Sequence, residues 1–146
     1  MIARQSNYQY AMLYSELADA VGKDHVSANA SDQLGHSVDY YWIPEMWHDR
    51  GCDNPTPDFI VHPGTAEEVA KVMRIANTYR IPVTPWGGGS GSQGGALPVY
   101  GGISLDTKRM NRVLEIDTES LTVTAETGII AQHLEWAVEK QGYSTM

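Results

Sequence analysis

The sequence is short of cysteine, of positive charge and of long apolar runs. Its single cysteine, Cys52, leaves no partner for an intramolecular disulfide. With no charged-then-apolar leader at its start, a reducing, cytoplasmic setting is the expectation. Apolar stretches reach only a few residues, against about 20 for a bilayer-spanning helix, which argues against membrane insertion but leaves peripheral docking open. Ten Lys and Arg face 18 Asp and Glu, a net charge of -8. That balance opposes non-specific binding to nucleic acid or to an anionic membrane, both of which it repels at long range. A phosphate group would have to be held locally, by main-chain N–H groups that need no net positive charge.

What is present belongs to a folded protein. Of the 146 residues, 42% are apolar and 19% charged, enough for one hydrophobic core and far from the composition of a disordered chain. Tyr10, Leu13, Tyr14, Leu17 and Val21 recur at helical spacing and Gly22 follows, which predicts an amphipathic helix over Gln9–Val21 with a glycine C-cap. Residues 27–57 are rich in Ser, Asp, Asn, Gly and Pro and carry Tyr40, Tyr41, Trp42 and Trp47, a composition that reads as a long loop pinned by packed aromatics. Phe59-Ile-Val61, bounded by Pro57 and Pro63, reads as a strand buried on both faces. Thr65-Ala-Glu-Glu68 is a capping box opening a helix whose inner face is Val69, Val72, Met73, Ala76 and Tyr79.

A second strand is expected over Ile81–Trp86 and a third over Ile103–Asp106, so that strand, helix and strand make a right-handed crossover with parallel strands. Val113–Ile116 and Leu121–Glu126, joined by Asp117-Thr-Glu-Ser120, read as a hairpin, and a last helix from about Ile129 uses Ile130, Leu134, Ala137 and Val138 before Gly142. The chain thus divides into residues 1–57, a helix with an aromatic-rich loop, and residues 58–146, an α/β unit followed by the start of a second, α+β subdomain.

Between the second and third strands lies Pro85-Trp-Gly-Gly-Gly-Ser-Gly-Ser-Gln-Gly-Gly95, with six glycines and two serines. Glycine reaches positive φ without strain and lacks the Cβ that holds a ligand off the backbone, so successive N–H groups here can converge on an anion such as a pyrophosphate. The same composition serves flexible linkers, but a linker joins independent units, whereas this loop lies inside one predicted sheet. Gly89, Gly91 and Gly94 formally match a dinucleotide fingerprint, yet no helix follows and Pro98 opposes one; a Walker A reading fails for want of a Gly-Lys-Ser or Gly-Lys-Thr.

Pro57-Asp-Phe-Ile-Val-His-Pro-Gly-Thr-Ala-Glu-Glu-Val69, Ile81-Pro-Val-Thr-Pro-Trp-Gly-Gly-Gly-Ser-Gly91 and Gly102-Ile-Ser-Leu-Asp106 with Met110-Asn111 together resemble the FAD-binding domain shared by vanillyl-alcohol oxidase and p-cresol methylhydroxylase. Within that superfamily the chain looks most like glycolate oxidase large subunits, D-lactate dehydrogenases and alkyl-dihydroxyacetonephosphate synthases. The resemblance covers about Asp58 to Gly142. It implies a PCMH-type FAD-binding domain whose loop, Pro85, Trp86, Gly87, Gly88, Gly89, Ser90, Gly91 and Ser92, wraps the FAD pyrophosphate, with Ser90 supplying a hydroxyl. Thr127-Gly128 matches a second family turn near the cofactor. Members that attach flavin covalently through this loop have a histidine after the three glycines; Ser90 stands there, which implies non-covalent FAD.

The same resemblance implies a flavin-dependent oxidoreductase acting on a small 2-hydroxy acid of the glycolate or D-lactate type, or else an ether-lipid-type synthase without net redox change. Members continue past the position of Met146 with a second FAD-binding segment, a substrate domain and the catalytic residues, so the chain reads as a fragment whose partner is the rest of its parent or another subunit. A rival of another class is an acidic, non-catalytic interaction domain with a linker-like loop.

Other residues read more plainly. His48, Cys52 and His62 are too thinly spaced evidence for a metal site; His62 reads as capping a strand end, His133 as lying on a solvated helix face and Cys52 as an inert loop thiol. Glu67-Glu68 and Glu115 with Asp117 fit helix capping and a hairpin turn better than paired-acid catalysis. Tyr40, Tyr41 and Trp42 read as packing, with a smaller chance of meeting the adenine.

Overall fold

The structure, a computed structural model, describes residues 7–145; the opening residues read above for a leader, and Met146, lie outside that range. Helix α1 (Asn7–Val21) buries Leu13, Leu17, Ala20 and Val21 and stops at Gly22, which at φ 93° turns the chain while its N–H bonds the Ala18 carbonyl. After a single 3-10 turn at Lys23–His25 comes β1 (Val26–Ser27), which pairs antiparallel with β2 (Phe59–Val61). The stretch expected as one long loop also holds two helices, α2 (Ala30–Gly35) and α3 (Trp42–Asp49). The Asn29 side chain caps α2 by accepting from the Asp32 N–H at 2.9 Å. Pro44 sits in the first turn of α3, where a main-chain N–H has no helical partner to lose.

Helix α4 (Ala66–Tyr79) begins as its capping residues dictate: the Thr65 hydroxyl accepts from the Glu68 N–H at 3.2 Å. The reciprocal bond falls one residue early, the Glu68 carboxylate accepting from the Gly64 N–H at 2.7 Å. Val72 and Ala76 are buried and Val69, Ile75 and Tyr79 pack beside them, whereas Met73, expected on the inner face, turns out to solvent. The stripe is carried by 69, 72, 76 and 79, and residue 73 falls at its edge. Arg80, in the left-handed region at φ 53°, ends the helix, and the Ile81 N–H closes back on Ala76, so β3 starts late (Val83–Trp86).

Strand β4 (Ile103–Asp106) lies between β2 and β3, parallel to both, giving the order β1-β2-β4-β3. Period-two alternation splits its side chains. Phe59, Val61, Ile103 and Leu105 join α1 and α4 in one core that runs across residue 57, with the Tyr10 ring 4.4 Å from Phe59. Each fully buried side chain of this kind contributes about 1.5–3 kcal/mol. Ile60, Ser104 and Asp106, also buried, alternate onto the other face.

A separate hairpin, β5 (Val113–Asp117) and β6 (Thr122–Ala125), carries a bulge between Val113 and Glu115; Leu121 takes the left-handed turn position, so the second strand starts one residue later than expected. Helix α5 (Ala131–Glu139) closes the described chain, with Ile130 an exposed N-cap residue rather than part of the inner face, and Gly142 at φ 83° beyond its end. Among the described residues no helix is long and apolar enough to cross a membrane.

Candidate functional site

The three parallel strands end side by side, β2 at Val61, β3 at Trp86 and β4 at Asp106. Ligands of open parallel sheets bind outside these carboxyl ends. The glycine loop leaves β3 here and is open to solvent along most of its length. Among the described residues, no main-chain N–H from Gly87 to Ala96 donates to an acceptor within the protein. A Cβ built on Gly87 or Gly95 meets nothing within 4 Å, and one on Gly88 meets only the Ser90 hydroxyl at 3.8 Å. The chain's own packing therefore gives no reason for glycine at these three positions, whereas close approach of an anion to the N–H groups does.

Gly89 is different. Its φ is 68°, and a Cβ there would stand 2.6 Å from Cζ2 of Trp86. Trp86 turns its indole inward beneath the loop, where it packs on the His36 ring at 4.6 Å. The second half of the loop rests on Tyr41, whose ring a Cβ on Gly94 would meet at 3.0 Å. Of the aromatics expected to pack, then, Tyr41 does so, while Tyr40 and Trp42 are exposed, because the turn into α3 points their rings outward. Gly128, from the second family turn, is buried; a Cβ on it would run into the Thr107 main chain, and its N–H bonds the Met110 carbonyl at 2.8 Å. Its packing against the segment after β4 by itself accounts for glycine there.

Below the loop lies a charged cluster that the sequence did not announce. Asp106, fully buried at the end of β4, receives His36 Nε2 at 3.1 Å, the Lys108 ammonium at 3.0 Å and the Lys108 N–H at 2.9 Å, with His62 Nδ1 at 3.5 Å. Burial alone would raise the Asp106 carboxyl, but the His36 bond and the Lys108 N–H and ammonium outweigh it and hold the group below the usual carboxylate range. For His62 the balance goes the other way: burial lowers it, together with the neighbouring His36 and Lys108, more than Asp106 raises it. His36 comes from the C-cap of α2, and its other ring nitrogen faces the Asp32 carbonyl at 2.9 Å. One signal for this cluster was visible, an acidic residue ending a buried central strand. Nothing in its own neighbourhood singles out His36.

The remaining histidines do not converge. His48 and the free thiol of Cys52 are both exposed, and His133 lies on the exposed side of α5 with its ring 5.5 Å from Trp136. Glu67 and Glu68 serve the start of α4, and Asp117 accepts from the Glu119 and Ser120 N–H groups in the hairpin turn.

Fold and loop together define a nucleotide-cofactor domain, with parallel strands delivering an open, glycine-rich loop at their carboxyl ends. Residues 57–146 match the family described as FAD binding domain, and the chain belongs to that family. It is 38% identical over 86 residues to the glycolate oxidase subunit GlcD of Bacillus subtilis (strain 168), a match spanning 59% of this chain and 18% of that protein. An alkyldihydroxyacetonephosphate synthase structure superposes on 99% of this chain and 27% of its own, with a TM-score of 0.82 at 27% identity. p-Cresol methylhydroxylase shares the fold over 95% of this chain and 26% of its own, with a TM-score of 0.73 at 17% identity. The chain spans about a fifth of the length of the curated relatives it matches. FAD is thus the cofactor of this domain, and the open cradle at Gly87, Gly88 and Gly95 fits its pyrophosphate.

Proposed function

We propose that this chain is the FAD-binding portion of an oxidoreductase that oxidises a small 2-hydroxy acid of the glycolate or D-lactate type, and that it holds FAD non-covalently. The observation that carries the binding mode is the run of N–H groups from Gly87 to Ala96 without protein acceptors. In this reading Pro85, Trp86, Gly87, Gly88, Gly89, Ser90, Gly91 and Ser92 line the cofactor. Trp86 contributes only main chain, since its indole is buried beneath the loop, and the exposed Ser90 adds a hydroxyl. The N–H groups neutralise the pyrophosphate in place of water, and the open glycines let it approach the backbone. When bound, FAD supplies the two-electron acceptor, while the protein positions it. Ser90 is a poor nucleophile without an adjacent base, which supports a cofactor without a covalent link.

The test is flavin content. Acid precipitation of the intact wild-type protein should release its flavin into the supernatant, and Gly88→Asp should purify without flavin, because a carboxylate then faces the pyrophosphate. Gly88 is the clean position, since its Cβ strains nothing in the fold. Full flavin content in the variant, or colour retained in the pellet, sinks the binding mode. The likeness to the synthase structure along nearly the whole chain favours a second reading, a flavoenzyme without net redox change. Anaerobic mixing separates the two: bleaching of the flavin by glycolate or D-lactate marks the oxidoreductase.

A further inference from the structure

The residues before the matched family segment carry a further buried carboxylate beside the loop. Asp39 is 9% exposed, and its Oδ1 accepts from the Tyr41 N–H at 3.0 Å. Among the described residues its Oδ2 is buried without a hydrogen-bond partner. Burying a carboxylate oxygen unpaired costs free energy, so such an atom calls for a donor that the described residues do not provide. It lies beside the loop: a Cβ on Gly91 would stand 3.9 Å from Asp39 Oδ2. Gly91 itself is exposed, in the middle of the anion cradle.

A carboxylate repels phosphate, so the partner of Oδ2 is not the pyrophosphate. It accepts a hydroxyl well, through a charge-assisted hydrogen bond. A dinucleotide cofactor places hydroxyl groups on both sides of its pyrophosphate, on the ribityl chain of the flavin half and on the ribose of the adenosine half. We infer that Asp39 is a cofactor-binding residue that accepts a hydrogen bond from one of these hydroxyls, adding recognition of the sugar to recognition of the phosphate. This rests on the FAD reading of the loop.

The test is calorimetric titration of the flavin-free intact protein, wild type and Asp39→Asn, with FAD, FMN, ADP and inorganic pyrophosphate. Asn keeps an acceptor for the Tyr41 N–H and removes the charged acceptor. FAD should bind about tenfold to a hundredfold more weakly to the variant, as expected for a lost hydrogen bond to a charged group, while pyrophosphate binds equally well or more tightly. A loss carried by FMN identifies the ribityl hydroxyls, and one carried by ADP the ribose. Equal weakening of FAD and pyrophosphate would mean that Asp39 only holds the loop, and unchanged FAD affinity would mean that it holds nothing; either overturns the inference. Wild-type protein that binds neither FAD nor pyrophosphate would instead remove the flavin reading, and this inference with it. Should Asp39→Asn unfold, Asp39→Ser, which also keeps an acceptor for Tyr41, takes its place with the same outcomes.

Discussion

Gly87 and Gly89 stand two residues apart in one loop and are glycines for different reasons. Gly89 answers to the fold, through its positive φ and the Trp86 ring under it; Gly87 has open space where its side chain would be. Alanine at 89 is therefore expected to cost about 1–2 kcal/mol or more in stability, read as a lower unfolding midpoint. Alanine at 87 should leave stability unchanged or slightly raised and weaken only flavin binding. Similar losses of stability in both variants would show that the loop is rigid throughout. The glycine loop was legible in the sequence because a dense run of glycines between two strands leaves a compositional mark. Asp39 and His36 were not, since their roles depend on which strands and turns meet, and a lone acid or histidine looks the same on a surface as beneath a loop.

At the scale of elements, the Asp106 cluster ties the end of α2 and the ends of β2 and β4 together through His36, His62 and Lys108. Its pH dependence has a definite sign. His62 is held below its ordinary value of 6.5 in the folded chain, so the unfolded chain takes up the proton first, and the stability present above that value is lost as pH falls through the folded one. The depressed Asp106 acts in the same sense further down, losing its contribution as pH falls below the usual carboxylate range. The unfolding temperature should thus drop between about pH 7 and pH 5, and His62→Gln should flatten that step while leaving the more acidic one. A profile identical to wild type in the variant would refute the assignment. The long periodic elements, α1 and α4, and the apolar strands β2 and β4 were legible because one face or both faces are buried. α2 and α3 were not: one is six residues long, and the other carries a proline in its first turn, so neither leaves a clear helical period.

For the whole molecule, large apolar side chains stay exposed in several places, the aromatic-rich segment and the end of the glycine loop among them. Leu114, Leu121, Ile130 and Trp136, all in or beside the hairpin and α5, are more than half exposed. The 146-residue chain by itself is expected to bind a hydrophobic dye such as anilinonaphthalene sulfonate and to bind FAD only weakly. Tight FAD binding without dye fluorescence in the isolated chain would contradict that. The sheet order has a consequence of another kind, in time. β4 is made after both of its neighbours yet lies between them. During synthesis β1 is available to cover one edge of β2 as soon as that strand emerges. The other edge of β2 and the facing edge of β3 have no partner until residue 106 has been added. For that interval two apolar strands wait with open backbone, a window in which a chaperone or another nascent chain meets the same hydrogen-bonding edge that β4 later closes.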